Sequence, residues 1–147
     1  DPSPVVRKRL IAREPLGVAL PVDHRLAGEL AVDLADLADD GFITTPVAVG
    51  SGLQEAGLRA CVDAGFRPRI VQEITDPFMI LTLVAAGVGI ALISAEVAGI
   101  MPSGSVYVPL RGEPVHLNHA IAWSADNRST VLKAVLAVAE EVLPTLR

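Results

Sequence analysis

The feature that most restricts this chain is the apolar segment from Ile80 to Ile93, interrupted by Thr82 and split by Gly87 and Gly89. It falls short of the roughly 20 residues that a membrane-spanning helix needs. Asp76-Pro77 stands just ahead of it as a capping residue followed by proline in the first turn. The helix therefore runs through Phe78, Leu81, Val84 and Ala85, stops at Gly87, and gives way at Gly89 to a buried strand, Gly89 to Ile93. Gly87-x-Gly89 leaves a helix and enters a strand, the reverse of a dinucleotide fingerprint, so close packing accounts for it. A helix feeding a short, fully apolar strand is the repeating unit of an α/β domain.

The same alternation is legible elsewhere. Val5 to Ala12 reads as a part-exposed strand, and Pro15 to Pro21 as a buried one. A short helix over Leu34 to Ala38, capped by Asp33, leads into a strand at Phe42-Ile43-Thr44. Ser51 and Gln54 form a capping-box pair at the head of the next helix. Leu53, Gly57, Ala60, Cys61 and Ala64 share one face of that helix, and Gly65 suits its exit. Arg69 to Ile74 is a strand, Ser94 caps a short helix over Ala95 to Ala98, and Val106–Leu110 and Leu117–Trp123 are strands. The last helix, Thr130 to Leu143, carries an apolar stripe of Val131, Val135, Val138 and Val142. Alternation of this kind predicts an α/β fold with a largely parallel sheet, and Phe78 and Trp123 are assigned to its core.

Composition narrows the function classes. Across 147 residues, seventeen acidic side chains outnumber twelve basic ones, for a net charge of −5. A nucleic-acid surface needs the opposite excess, so no direct contact with nucleic acid is expected. A single cysteine excludes an internal disulfide framework and a cysteine-rich zinc site. The opening Asp1-Pro2-Ser3-Pro4, with neither an initiator methionine nor a signal peptide, leads us to expect a piece of a longer protein.

Three segments, in order, carry a family resemblance. Arg13 to Ala27 reads REPLGVALPVDHRLA, a strand ending in an Asp-His turn in which Arg25 replaces the usual proline. Val32 to Ala38 reads VDLADLA and leads into Phe42-Ile43. Ile80 to Ile93 is the third and most specific, with Ser94 in place of a common proline. Together they resemble the effector-binding region of LysR-type transcriptional regulators of bacteria. The resemblance implies an α/β, periplasmic-binding-protein-like (type II) fold of two lobes, with a small metabolite held between them. By the same mapping, residues 15–114 form a complete second lobe. Residues 1–14 and 115–147 supply the tail of the first lobe, with the chain crossings near Arg13-Glu14 and Val115 to His119. The winged helix-turn-helix has no counterpart in the 147 residues.

The expected function is ligand sensing in a cytoplasmic regulator, with DNA bound through a separate domain. The alternative is a solute-binding protein of a transport system with the same two-lobed design. An enzyme ranks below both, because no catalytic constellation and no cofactor motif stands out. Val49 and Leu53 occupy the positions where a hydrolase elbow around Ser51 needs glycine. His116 and His119 are three apart on a strand and point to opposite faces, so no metal site is expected. His24 is assigned to a turn and Cys61 to the core as a structural thiol.

The expected effector contacts gather at one helix start. Gly50-Ser51-Gly52 leaves backbone N–H groups open to an anion. On residues alone the simpler reading is that the glycines shape the turn and Ser51 caps. The resemblance shifts the balance to ligand binding at Ser51, Gly52 and Leu53. Thr44 and Thr45 supply hydroxyls at a strand end, where α/β folds bind ligands. Pro77 supplies a wall, and His119 falls on the return crossing. The expected partner is a small-molecule effector, an organic acid or a similarly polar metabolite, without a membrane partner. The unpaired strand edges and the valine stripe point to a homodimer or larger assembly.

Overall fold

The computed structural model describes residues 5–46 and 52–143. Ser51 lies outside them, as does the capping-box pairing assigned to it. Contacts divide the chain into two compact units, Glu14–Leu117 and Asp1–Arg13 with Asn118–Arg147.

In the larger unit the second part of β1 (Val6–Pro21) lies between β4 (Ala91–Ser94) and β5 (Ser105–Pro109). Leu16 to Leu20 are buried without interruption, as a strand covered on both faces requires. The two strands expected on either side of residue 13 are thus one continuous 16-residue strand. Both partners run antiparallel to it, with Val18 opposite Leu92 on one side and Val108 on the other. β2 (Gly41–Thr44) and β3 (Arg69–Glu73) pair in parallel, with Thr44 opposite Glu73 and a register shift after Phe42. Ile43 N–H donates to the Ile90 carbonyl and Ile90 N–H to the Gly41 carbonyl, both at 2.8 Å, which ties β2 to the start of β4. The sheet is therefore mixed, a correction to the largely parallel expectation. The crossover over α1 makes β2 and β3 parallel neighbours, whereas β1 pairs antiparallel with both β4 and β5.

Helices cover the sheet on two sides. α1 (Gly52–Asp63) buries Gly57, Ala60 and Cys61 against Val18, Phe42 and Ile90. α2 (Pro77–Ala85) buries Ile80, Leu81 and Val84 against Ala19, Ile43 and Ile93. The Asp76 carboxylate accepts from Phe78 N–H at 2.8 Å and Met79 N–H at 3.4 Å, as the Asp-Pro start predicts. Phe78 is 66% exposed. Its assignment to the core fails because α2 turns Ile80, Leu81 and Val84 toward the sheet, which leaves Phe78 on the outer side. α1 and α2 both exit through left-handed glycines, Gly65 at φ +92° and Gly87 at φ +76°.

Among the described residues the unit also holds two short 3-10 helices, Leu34–Leu37 and Ala95–Ile100. Ser94 accepts from Glu96 N–H at 3.2 Å and donates to the Glu14 carboxylate. Asp33 makes no side-chain capping bond, contrary to expectation; it instead faces Arg111 at 3.4 Å. His24 is a turn residue with a defined job. Its Nδ1 accepts from Leu26 N–H and its Nε2 lies 3.2 Å from Asp40, tying the turn after β1 to the turn before β2.

The smaller unit contains the first part of β1, most of β6 (His116–Ser124) and α3 (Thr130–Val142). β6 pairs with β1, and Ala125 N–H donates to the Val5 carbonyl at 2.7 Å. α3 buries Ala139 and half-buries Leu132 and Leu136. Its valine stripe faces outward, with Val131, Val135, Val138 and Val142 between 57% and 70% exposed.

Candidate functional site

The carboxyl ends of β2 and β3 set the site. Phe42 and Ile43 anchor β2 in the core at 3% and 2% exposure, so the strand delivers Thr44 and Thr45 to the sheet edge. Ile74 N–H donates to the Thr44 carbonyl at 2.8 Å, keeping β3 alongside to the end of the pair. α1 then starts at Gly52 and lies back across the same face. A methyl added to Gly52 would meet only Leu117 Cδ1, at 3.6 Å, an ordinary contact. Packing therefore does not demand glycine there.

Between α1 and the β2–β3 pair lies a cavity of about 290 Å³. Thr44, Thr45, Leu53 and Gln54 line it at the head of α1. Phe42, Gly57, Leu58, Cys61, Arg67, Pro68, Ile70 and Leu92 also line it, and Leu58 and Ile70 are 48% and 43% exposed. Gly57 lets the helix come close to the sheet here; a Cβ on it would stand 3.1 Å from Leu92 Cδ1. Glu73 adds a carboxylate on the Thr44 side. Arg67 and Glu73 are the charged side chains on a lining that is otherwise uncharged. Burial pushes the Cys61 thiol up from 9.0 to about 11, so it is a protonated wall residue and not a nucleophile.

Of the residues expected from the sequence, the structure brings Thr44, Thr45 and Leu53 to this one cavity. Gly52 starts the helix beside Leu53. Pro77 opens α2 on the carboxyl edge of the same strands but does not line the cavity. His119 lies on β6 in the smaller unit and does not line it either. The interior residues on β3 and β4, with Arg67 and Glu73, escaped sequence reasoning because pairing and register bring them there. Gly57 and Cys61 could be found, since they follow Leu53 at helical spacing. Gln54, assigned to a cap, also faces this space. A second, shallower cavity of about 250 Å³ lies beside Ala60, Ala64 and the Asp33–Arg111 pair. Among the described residues no group of three or more His, Cys, Asp or Glu side chains is placed to hold a metal. Among the same residues no helix is long and apolar enough to cross a membrane.

Comparison with known proteins converges on one family. Residues 1–144 match the LysR substrate binding domain. The chain is 43% identical over 140 residues to the HTH-type transcriptional regulator ShiR of Corynebacterium glutamicum (strain R), covering 95% of this chain and 48% of that protein. Among solved structures, the BenM effector binding domain with its effector benzoate superimposes with a TM-score of 0.74 at 26% identity. That match covers 96% of this chain and 65% of the BenM domain. The effector binding domain of QuiR, in complex with shikimate, gives a TM-score of 0.82 at 18% identity, covering 95% of this chain and 66% of that one. The fold is accordingly the periplasmic-binding-protein-like type II fold. The chain spans about half the length of the curated regulators that it matches.

Proposed function

The chain belongs to the LysR substrate-binding domain family, and we propose that it is the sensing module of a bacterial transcriptional regulator whose effector is a small organic acid. The observation that carries this reading is the cavity at the head of α1, where strand-end hydroxyls and the first turn of a helix meet an apolar interior. Its volume suits a small metabolite; sites for larger ligands run from about 300 to 1,000 Å³. The proposed effector contacts are Thr44, Thr45, Gly52 and Leu53, with Ser51, which lies outside the described residues, as a further candidate from the sequence. Pro77 stands at the start of α2, and His119, on β6 of the smaller unit, is kept as a candidate from the family resemblance.

A carboxylate at the head of α1 accepts from backbone N–H groups left without helical partners, where the helix dipole favours negative charge. Binding regulates only if two arrangements of the intact regulator differ in affinity for the effector. Moving a 1:99 equilibrium to 99:1 takes a difference of about 5.5 kcal/mol. DNA is contacted through a helix-turn-helix domain outside these residues. The chain works in the cytoplasm, assigns no residue to catalysis, and associates as a homodimer or larger through exposed apolar surface such as the α3 valines. The transport alternative is not favoured, because the curated relatives are regulators.

A panel of small carboxylates including benzoate and shikimate, titrated calorimetrically into the chain, tests the site. At least one should bind saturably, and Thr45→Asp, which places a negative charge beside the carboxylate, should weaken it tenfold or more. A panel without saturable binding, or binding indifferent to Thr45→Asp, would overturn the anion site.

A further inference from the structure

β3 does not alternate evenly. Gly41, Phe42, Ile43 and Thr44 stand opposite Arg69, Ile70, Gln72 and Glu73, so Val71 is one residue extra on β3. Paired residues share a face of the sheet, and an inserted residue moves everything after it to the opposite face. Without the insertion, alternation from Ile70 would put Gln72 into the groove between α1 and the β2–β3 pair and turn Glu73 away. With it, Ile70 and Glu73 line the groove beside Phe42 and Thr44, while Val71 packs against the cluster of Ile43 and Ile80. Bulges are rare between parallel strands, and next to functional sites they re-aim a side chain. The side chain so aimed has no bracing role. Asp40 pairs with His24 and Arg25, Asp33 with Arg111, and Asp76 with the first N–H groups of α2. Among the described residues the Glu73 carboxylate has neither an ion pair nor a hydrogen bond.

We propose that Glu73 is a specificity-determining residue that accepts a hydrogen bond from a hydroxyl group of the effector, so that the site prefers hydroxylated monocarboxylic acids to unsubstituted acids and dicarboxylates. This inference rests on the organic-acid reading above and adds the group that answers Glu73. A carboxylate facing the start of α1 shares the groove with a fixed negative charge on β3, and like charges oppose binding. An ionised carboxylate can only accept, so what satisfies Glu73 is a donor on the ligand. The neighbouring lining narrows the donor further. The Thr44 and Thr45 hydroxyls and the Gln54 amide line the same groove, and each of them both donates and accepts. A ligand hydroxyl does both as well, whereas an ammonium offers them no acceptor. A second carboxylate brings no donor for Glu73 and adds to the repulsion. A site that hydrogen-bonds a ligand hydroxyl discriminates against the analogue lacking it, because its own polar group is then left unanswered.

Two ring series read this directly by calorimetric titration of the chain. One is benzoate, 3-hydroxybenzoate and 3,4-dihydroxybenzoate; the other sets cyclohexanecarboxylate beside shikimate. In at least one series a hydroxylated acid should bind about tenfold or more tightly than its unsubstituted parent. Glu73→Leu should abolish that preference by weakening the hydroxylated acid while leaving the parent unchanged or tighter. A merely structural role for Glu73 would weaken both alike. Glu73→Gln, which keeps the size and one acceptor oxygen, should reduce the preference and serves if Glu73→Leu does not fold. Parents that bind as tightly as their hydroxylated partners, indifferent to both variants, would overturn the role of Glu73 while leaving the organic-acid reading standing. 3-(Aminomethyl)benzoate binding more tightly than either hydroxybenzoate, through Glu73, would overturn the hydroxyl in favour of a cation. The methyl ester of the preferred hydroxylated acid binding as tightly as the acid would overturn the carboxylate reading while leaving the hydroxyl contact standing. Absence of binding in both series would overturn both.

Discussion

Gly89→Ala tests the contact that holds β2, and with it Thr44, against the rest of the sheet. An ideal methyl on Gly89 would sit 2.6 Å from the Gly41 carbonyl oxygen and 3.2 Å from Ile43 Cγ1 and Val71 Cγ2. A backbone oxygen cannot swing aside as a side-chain tip can. The same Gly41 oxygen accepts from Ile90 N–H at 2.8 Å, so relieving the clash stretches a bond that joins β2 to β4. Overpacking of this kind costs about 1–3 kcal/mol, and a lost buried hydrogen bond about 1 kcal/mol more. Together they give a destabilisation of about 2–4 kcal/mol. Urea unfolding followed by circular dichroism measures it. With a slope of about 2 kcal/mol per molar, the midpoint should fall by about 1–2 M. Gly28→Ala is the control, since a methyl there meets nothing within 4 Å; it should stay within about 0.5 kcal/mol. A Gly89→Ala midpoint equal to that of Gly28→Ala would refute the argument that this close approach seats β2.

Three further outcomes follow from other parts of the molecule. The Cys61 thiol, held protonated by burial at about 11 against an ordinary 9.0, makes the folded state bind the proton more tightly. Its contribution is present below pH 9 and lost between pH 9 and 11, by about 2–3 kcal/mol, and Cys61→Ala should flatten that part of the stability profile. Tyr107, also raised by burial, adds a loss of the same sign that persists in the variant. Val135→Lys with Val138→Lys, which places two charges on the exposed face of α3, should lower self-association of the chain in sedimentation velocity; unchanged association would remove that face from the interface. An operator-length duplex at moderate salt should show no saturable shift with this chain, whose net charge is −5; specific binding would contradict the assignment of DNA contact to a separate domain.

The sequence by itself determined the local elements and the family. Asp76-Pro77, Gly65 and Gly87 are local devices: a carboxylate reaching its own backbone, a ring locking φ, and a left-handed exit that other residues resist. Such interactions span a few residues, so they are legible without the fold, and α1, α2 and their ends follow from them. Val18 to Leu20 and Ile90 to Ile93 announce burial by the absence of polar residues. Thr44 and Thr45 stand at a strand end, which is a local feature, whereas Leu53 is named through the family resemblance.

The tertiary structure alone decided what those elements meet. Whether β1 pairs parallel or antiparallel is set by the direction in which the chain re-enters the sheet, and nothing in the apolar run at Pro15 to Pro21 records it. Phe78 and Val84 are both apolar residues on one short helix, yet one is 66% exposed and the other fully buried; only the placement of the helix axis over the sheet separates them. The lining of the cavity depends on Leu92 and Ile70 arriving beside α1 from strands paired across the chain. That register is a long-range quantity, and it brings two threonines at a strand end and Leu53 of α1 to one cavity.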